Sequence, residues 1–128
     1  MVEAPNHLDS LGKLIVDSAF QVHRNLGPGL LESVYEHCMA HESAKRGISV
    51  KRQVALPVIY DGETIDAALK LDVLVEDAVI LEIKAVERVL PVHRAQLLTY
   101  LKLADKRLGF LINFNVPLIR DGISRLAL

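Results

Sequence analysis

Two apolar segments flanking a short acidic break constrain this chain most: Leu69-Lys70-Leu71-Asp72-Val73-Leu74-Val75 and Val79-Ile80-Leu81-Glu82-Ile83-Lys84. Strand alternation puts Leu69, Leu71, Val73 and Val75 on one face, and Val79, Leu81 and Ile83 on one face of the next strand. Those faces meet only if Val75 stands opposite Val79, which leaves a three-residue loop at 76–78. A one-residue slip would send one apolar set to the wrong side. The same register sets Asp72 opposite Glu82 and Lys70 opposite Lys84. Like charges facing each other across a ladder cost ~0.2–1 kcal/mol. A divalent cation between the carboxylates converts that cost into a chelate. Magnesium suits such a pair, because it is commonly held by one or two carboxylates, waters and phosphate oxygens. A solvated outer sheet face with mixed charges would also accommodate the pattern.

The rest of the chain arranges itself around this hairpin. Leu8, Leu11, Ile15, Ala19, Val22 and Leu26 recur at helical spacing, so residues 8–25 read as an amphipathic helix broken by Gly27-Pro28-Gly29. A second helix is expected from about residue 30, burying Leu31, Val34, Cys38 and Met39, with Gly47 as its stop. Residues 50–60 read as a strand turning at Asp61-Gly62, followed by strands over 64–75 and 79–85. Pro91 opens a third helix with Leu97, Leu98, Leu101 and Ala104 toward the core. Leu108–Phe114 is nearly all apolar, as a strand covered on both faces would be, and Asp121-Gly122 turns the chain into a last strand, Ile123–Leu126. The order α–α–β–β–β–α–β–β leaves no room for a linker, and residues 1–128 read as one domain.

Composition narrows the function classes. A chain of 51% hydrophobic and 24% charged residues is expected to be compact and soluble, with no apolar run long enough for a membrane span. Met1-Val2-Glu3-Ala4-Pro5-Asn6 lacks the basic start and apolar run of a signal peptide, and the single Cys38 fits a reducing cytoplasm, where it reads as a small buried helix residue. A net charge of −1 does not point to nucleic acid, since a purely electrostatic DNA binder would show a strong basic excess. Contact with DNA would fall to local groups: Lys45-Arg46, Lys51-Arg52, Arg88, Arg94, Lys102 and Lys106-Arg107. A mean hydropathy of +0.27 with few aromatics hints at an apolar contact surface and so at a homodimer. Gln96 and Tyr100, four apart, share one face of the third helix, which borders its leucine stripe and can lean Gln96 toward Lys84. On spacing alone Gln96 reads first as a surface residue and Tyr100 as a partly buried core aromatic.

Gly29-x-x-Glu32-x-x-Tyr35 at the head of the second helix resembles the signature of the small GxxExxY proteins of bacteria and archaea. The similarity continues through Leu71–Val75, Glu82–Val86, Gln96–Leu101 and Leu111–Pro117, covering about residues 10–128. These proteins look like minimal members of the PD-(D/E)xK nuclease superfamily. The resemblance implies an α/β, restriction-endonuclease-like core: a mixed sheet, built of a three-stranded meander plus crossover helix and further strands, flanked by helices. It also implies roles. Asp72 and Glu82, with the Ile83 carbonyl, correspond to ligands of Mg²⁺ or Mn²⁺, and Glu32 to a helical acid that helps hold the metal or its waters. Lys84 corresponds to the lysine that orients the attacking water. Gln96 and Tyr100 resemble a Gln-x-x-x-Tyr element that supports the site and meets the DNA, with Tyr35 also supporting. His23 falls where a related branch sometimes carries a histidine ligand. Leu71 stands where a proline would complete the "PD" of the name. The expectation is therefore metal-dependent hydrolysis of phosphodiesters, with DNA favoured over RNA by the resemblance. The alternative is a non-catalytic nucleic-acid-binding or regulatory subunit that retains the nuclease fold.

Overall fold

The computed structural model describes residues 3–128; Met1 and Val2, on which part of the signal-peptide reading falls, lie outside the described residues. Its elements follow the expected order: α1 (Glu3–Leu26), α2 (Glu32–Lys45), β1 (Val50–Tyr60), β2 (Glu63–Val75), β3 (Val79–Lys84), α3 (Pro91–Ala104), β4 (Leu108–Asn113) and β5 (Ile123–Ala127), with a 3₁₀ turn at Ile119–Gly122. The strands form one five-stranded sheet in the order β1-β2-β3-β4-β5. Pairing is antiparallel except between β3 and β4, which run parallel because α3 makes the crossover between them. The meander, crossover helix and further strand make this a restriction-endonuclease-like α/β fold.

Helices cover both faces of the sheet. On one face α1 and α2 pack Leu11, Ile15, Ala19, Val22, Tyr35 and Met39 against Val73, Val75, Val79, Leu81, Ile83, Phe110 and Ile112. On the other, α3 packs Leu97, Tyr100 and Leu101 against Leu71, Leu74, Ile80, Leu111 and Leu126. β3 and β4 lie between the two layers, which is why Leu108–Asn113 is buried throughout. Among the described residues no helix is long and apolar enough to cross a membrane.

The β2–β3 register is the one that alternation demanded: Val75 pairs with Val79 and Val73 with Leu81 across the loop at 76–78. Three packing expectations need correction. α1 reaches back to Glu3, since Pro5 in a first turn removes no helical hydrogen bond, while Leu26 at the other end is exposed. α2 is rotated from the expected face: Leu31 and Val34 are exposed and Cys38 only half-buried, whereas Tyr35, Glu36, Met39 and Glu42 are buried. Its apolar anchors are the i, i+4 pair Tyr35 and Met39. Glu36, between them, and Glu42, beyond Met39, are tolerated because Arg52 pairs with Glu36 at 3.1 Å and Arg46 with Glu42 at 2.6 Å. In α3, Leu98 is exposed and Tyr100 takes the buried position.

A fourth difference lies in β2. Val73 and Val75 face α1 and α2, but Leu69 and Leu71 pack on the α3 side, so the four do not share one face. Alternation inverts at Asp72. The β2–β3 pairing ends at Val73 and Leu81, one residue short of it.

Candidate active site

β2 and β3 part company at Asp72 and Glu82, and the site is built in that gap. The Ile83 N–H donates to Asp72 Oδ2 at 2.8 Å, so the carboxylate takes a position a strand backbone would otherwise fill. On the other edge of β3, the Lys84 carbonyl accepts from Phe114 N–H at 2.9 Å. Successive strand residues direct their backbone groups to opposite edges, so the Ile83 carbonyl faces the same gap as its N–H. Glu82 is 5% exposed and points to the α3 side, and its Oε1 has no hydrogen-bond partner. Burial, with the Asp72 charge adding to it and Lys84 only partly opposing, pushes the Glu82 carboxyl up to about 8. Tyr100 is pushed above the ordinary phenol range, first by burial and then by the charges of Glu82 and Asp72, with a hydrogen bond from Gln96 acting the other way. Asp72 and Lys84 thus stand against Glu82 at the end of β3, and Tyr100 and Gln96 approach them from α3.

The exit of β3 is fixed by a residue the sequence analysis did not single out. Asn113, 3% exposed, accepts from Val86 N–H at 3.1 Å and donates to the Val86 carbonyl at 2.9 Å, clamping the chain just after Lys84. Gly122 packs against the Asn113 carbonyl so closely that any β-carbon there would overlap the oxygen. The signal was present only as an Asn inside the apolar run 108–114.

The remaining predicted residues lie on the α2 side or beneath it. The Tyr35 hydroxyl donates to the Gly27 carbonyl at 2.7 Å and accepts from Leu30 N–H at 3.1 Å, while its ring stacks on Phe114 at 4.5 Å. This explains the Gly–Tyr spacing: Gly27 and Gly29 adopt positive φ in the turn, and the tyrosine ties that turn to the core. Glu32 is exposed at the first position of α2, one turn before Glu36 on the same helix stripe. His23 is buried, with Nε2–H donating to the Val116 carbonyl at 2.8 Å. Among the described residues no group of three or more His, Cys, Asp or Glu side chains is arranged to hold an ion. The donor set nonetheless fits a hard cation, because two carboxylates and a carbonyl suffice when waters and substrate complete the shell. The unpartnered Glu82 Oε1 is the atom such an ion would satisfy.

Four of the basic side chains are neutralised at home. Lys45 and Arg46 pair with Glu42, Arg52 with Glu36, and Lys106 with Asp77. Arg88 and Arg94, exposed on either side of the α3 start, form no ion pair among the described residues.

The fold thus brings two acids and a lysine together where β2 and β3 part. A family profile described as the PD-(D/E)XK nuclease superfamily matches residues 9–126, and the chain belongs to that superfamily. Neither a curated protein nor a solved structure matches the chain significantly. Nucleases of this superfamily generally use divalent metal ions.

Proposed function

We propose that this chain is a Mg²⁺- or Mn²⁺-dependent nuclease that hydrolyses phosphodiester bonds in DNA, and that it belongs to the GxxExxY branch marked by Gly29, Glu32 and Tyr35. The observation that carries the reading is the buried, unpartnered Glu82 Oε1 beside Asp72. Glu82 Oε1 is buried without a partner and stands against the Asp72 carboxylate, an arrangement that a cation between the two acids would satisfy, with Lys84 beside it as a fixed positive charge. A bound ion would polarise the phosphate and lower the pKa of a water. Asp72, Glu82 and the Ile83 carbonyl would hold it, and Glu32 would order its waters from α2. Lys84 orients the nucleophile and offsets charge on the phosphorus oxygens. Gln96 and Tyr100 support the carboxylates from α3, while Tyr35 and His23 brace the turns beneath them.

Charge favours a polyanion approaching along α3. Lys84, Arg88 and Arg94 lie at that rim, whereas the arm formed by β1 and β2 beyond the site carries exposed Asp61, Glu63 and Asp66. Exposed Ile59, Tyr60 and Ile65 near the arm tip would supply an apolar contact for a homodimer, and cytoplasmic residence fits the free Cys38. The test is degradation of linear, single-stranded, nicked and branched DNA with Mn²⁺ or Mg²⁺, abolished by EDTA and by Asp72→Asn. No cleavage of any of these, together with unchanged metal binding in Asp72→Asn, would remove the nuclease reading. A fold-retaining binding subunit would then take its place.

A further inference from the structure

Gln53 sits within β1 with φ of +52°, a left-handed conformation that costs a non-glycine residue on the order of 1 kcal/mol or more. It lies opposite Asp72: Arg52 pairs with Val73 and Val54 with Leu71, while the intervening position forms no bridge. Neither strand carries an inserted residue at this point, since the register runs unbroken from the Val50 and Val75 pair to the Leu56 and Leu69 pair, yet the side-chain alternation of both inverts there. Val50 packs with the α1–α2 layer and Val54 with the α3 layer, and Val73 and Leu71 divide in the same way. Asp72 is the residue at the inversion. It therefore projects into the gap beside β3 rather than onto either sheet face, and there it accepts from Ile83 N–H.

The inversion sits against a buried acid. Glu36 of α2 is 6% exposed, and both its oxygens are engaged. Gln53 Nε2 donates to Oε2 at 3.0 Å and to Oε1 at 3.2 Å, and Arg52 Nε donates to Oε1 at 3.1 Å. Arg52 and Gln53 are consecutive, so in a regular strand their side chains would point to opposite faces. Both reach the same carboxylate only because Gln53 is left-handed. We propose that Glu36 is a positioning residue, clamping Arg52 and Gln53 so that the β1–β2 hairpin kinks at Asp72 and delivers its carboxylate to the gap beside Glu82. What Asp72 does there rests on the nuclease reading; where it stands does not.

The Ile83 amide reports the Asp72 position without any metal. In the metal-free protein its exchange protection and proton shift are measured by NMR, with Asp72→Ala defining the signal of a lost carboxylate. Folded Glu36→Ala should lose at least tenfold of the Ile83 protection. Gln53→Val, which cannot rest at positive φ, should lose as much. Gln53→Gly, which adopts that conformation unaided, should stay near wild type and should restore Glu36→Ala in the double variant. Mn²⁺ binding followed by calorimetry should fall and recover in the same order. An unchanged Ile83 amide in Glu36→Ala, or no rescue by Gln53→Gly, overturns the proposal; if Glu36→Ala does not fold, the Gln53→Val and Gln53→Gly pair decides it alone. Wild type that binds no Mn²⁺ while the amide pattern holds would retain the positioning device and discard the metal reading.

Discussion

Loading a divalent ion should expel a proton from Glu82. In the metal-free protein its carboxyl is pushed up to about 8, chiefly by burial and then by Asp72, so at pH 7 it is roughly nine-tenths protonated. Only the carboxylate coordinates a metal, so binding at pH 7 should release about 0.9 proton, rising toward one at lower pH. Apparent affinity should climb roughly 50-fold between pH 6 and pH 8, about 2.3 kcal/mol, and flatten above. Calorimetry of Mn²⁺ binding in two buffers of different ionisation enthalpy measures the proton count directly. Glu82→Gln should remove both the proton release and the pH slope while weakening binding. The stability of the metal-free protein carries the opposite sign. The folded pKa lies above the ordinary 4.5, so the folded state holds an extra proton between 4.5 and about 8. Stability is fully present below 4.5 and is lost as pH rises through about 8, by several kcal/mol at ~1.4 kcal/mol per unit. Mn²⁺ binding at pH 7 with no proton release would show Glu82 already ionised, and would refute the view that burial and Asp72 govern this carboxyl.

Asp72→Asn should abolish Mn²⁺ binding by calorimetry yet raise the metal-free melting temperature above pH 8, because the repulsion with Glu82 is relieved. Lys84→Ala should keep metal affinity within about threefold but slow DNA cleavage on the order of 10²–10³-fold, as removing a transition-state charge donor does. Tyr35→Phe should lose both hydrogen bonds to the Gly27 and Leu30 backbone and cost about 1–3 kcal/mol in urea denaturation, with stacking on Phe114 retained. Arg88→Ala combined with Arg94→Ala should weaken DNA binding and flatten its salt dependence, while Mn²⁺ affinity stays unchanged in the same titration.

Local pattern alone determined the order of elements, the Asp61-Gly62 and 76–78 turns, and the hairpin register, because each depends on alternation or turn chemistry within a dozen residues. Asp72 and Glu82 were legible as neighbours for the same reason. The face of α2 was not. Leu31 and Val34 look more apolar than Glu36 or Glu42, and only the arrival of Arg52 from β1, beside the local Arg46, makes those acids buriable. Nor did any residue type announce a left-handed Gln53; its conformation depends on a carboxylate 17 positions away in sequence. The shared face expected for Leu69, Leu71, Val73 and Val75 failed at that point, since strand periodicity cannot foresee an inversion imposed from a neighbouring helix. Burial of Glu82 without a partner, and with it the raised affinity for a proton, likewise arises only when α3 closes over the gap. Periodicity is a property of each segment and can be read along the chain, whereas desolvation and charge pairing depend on which segments meet, and that was decided in the folded molecule.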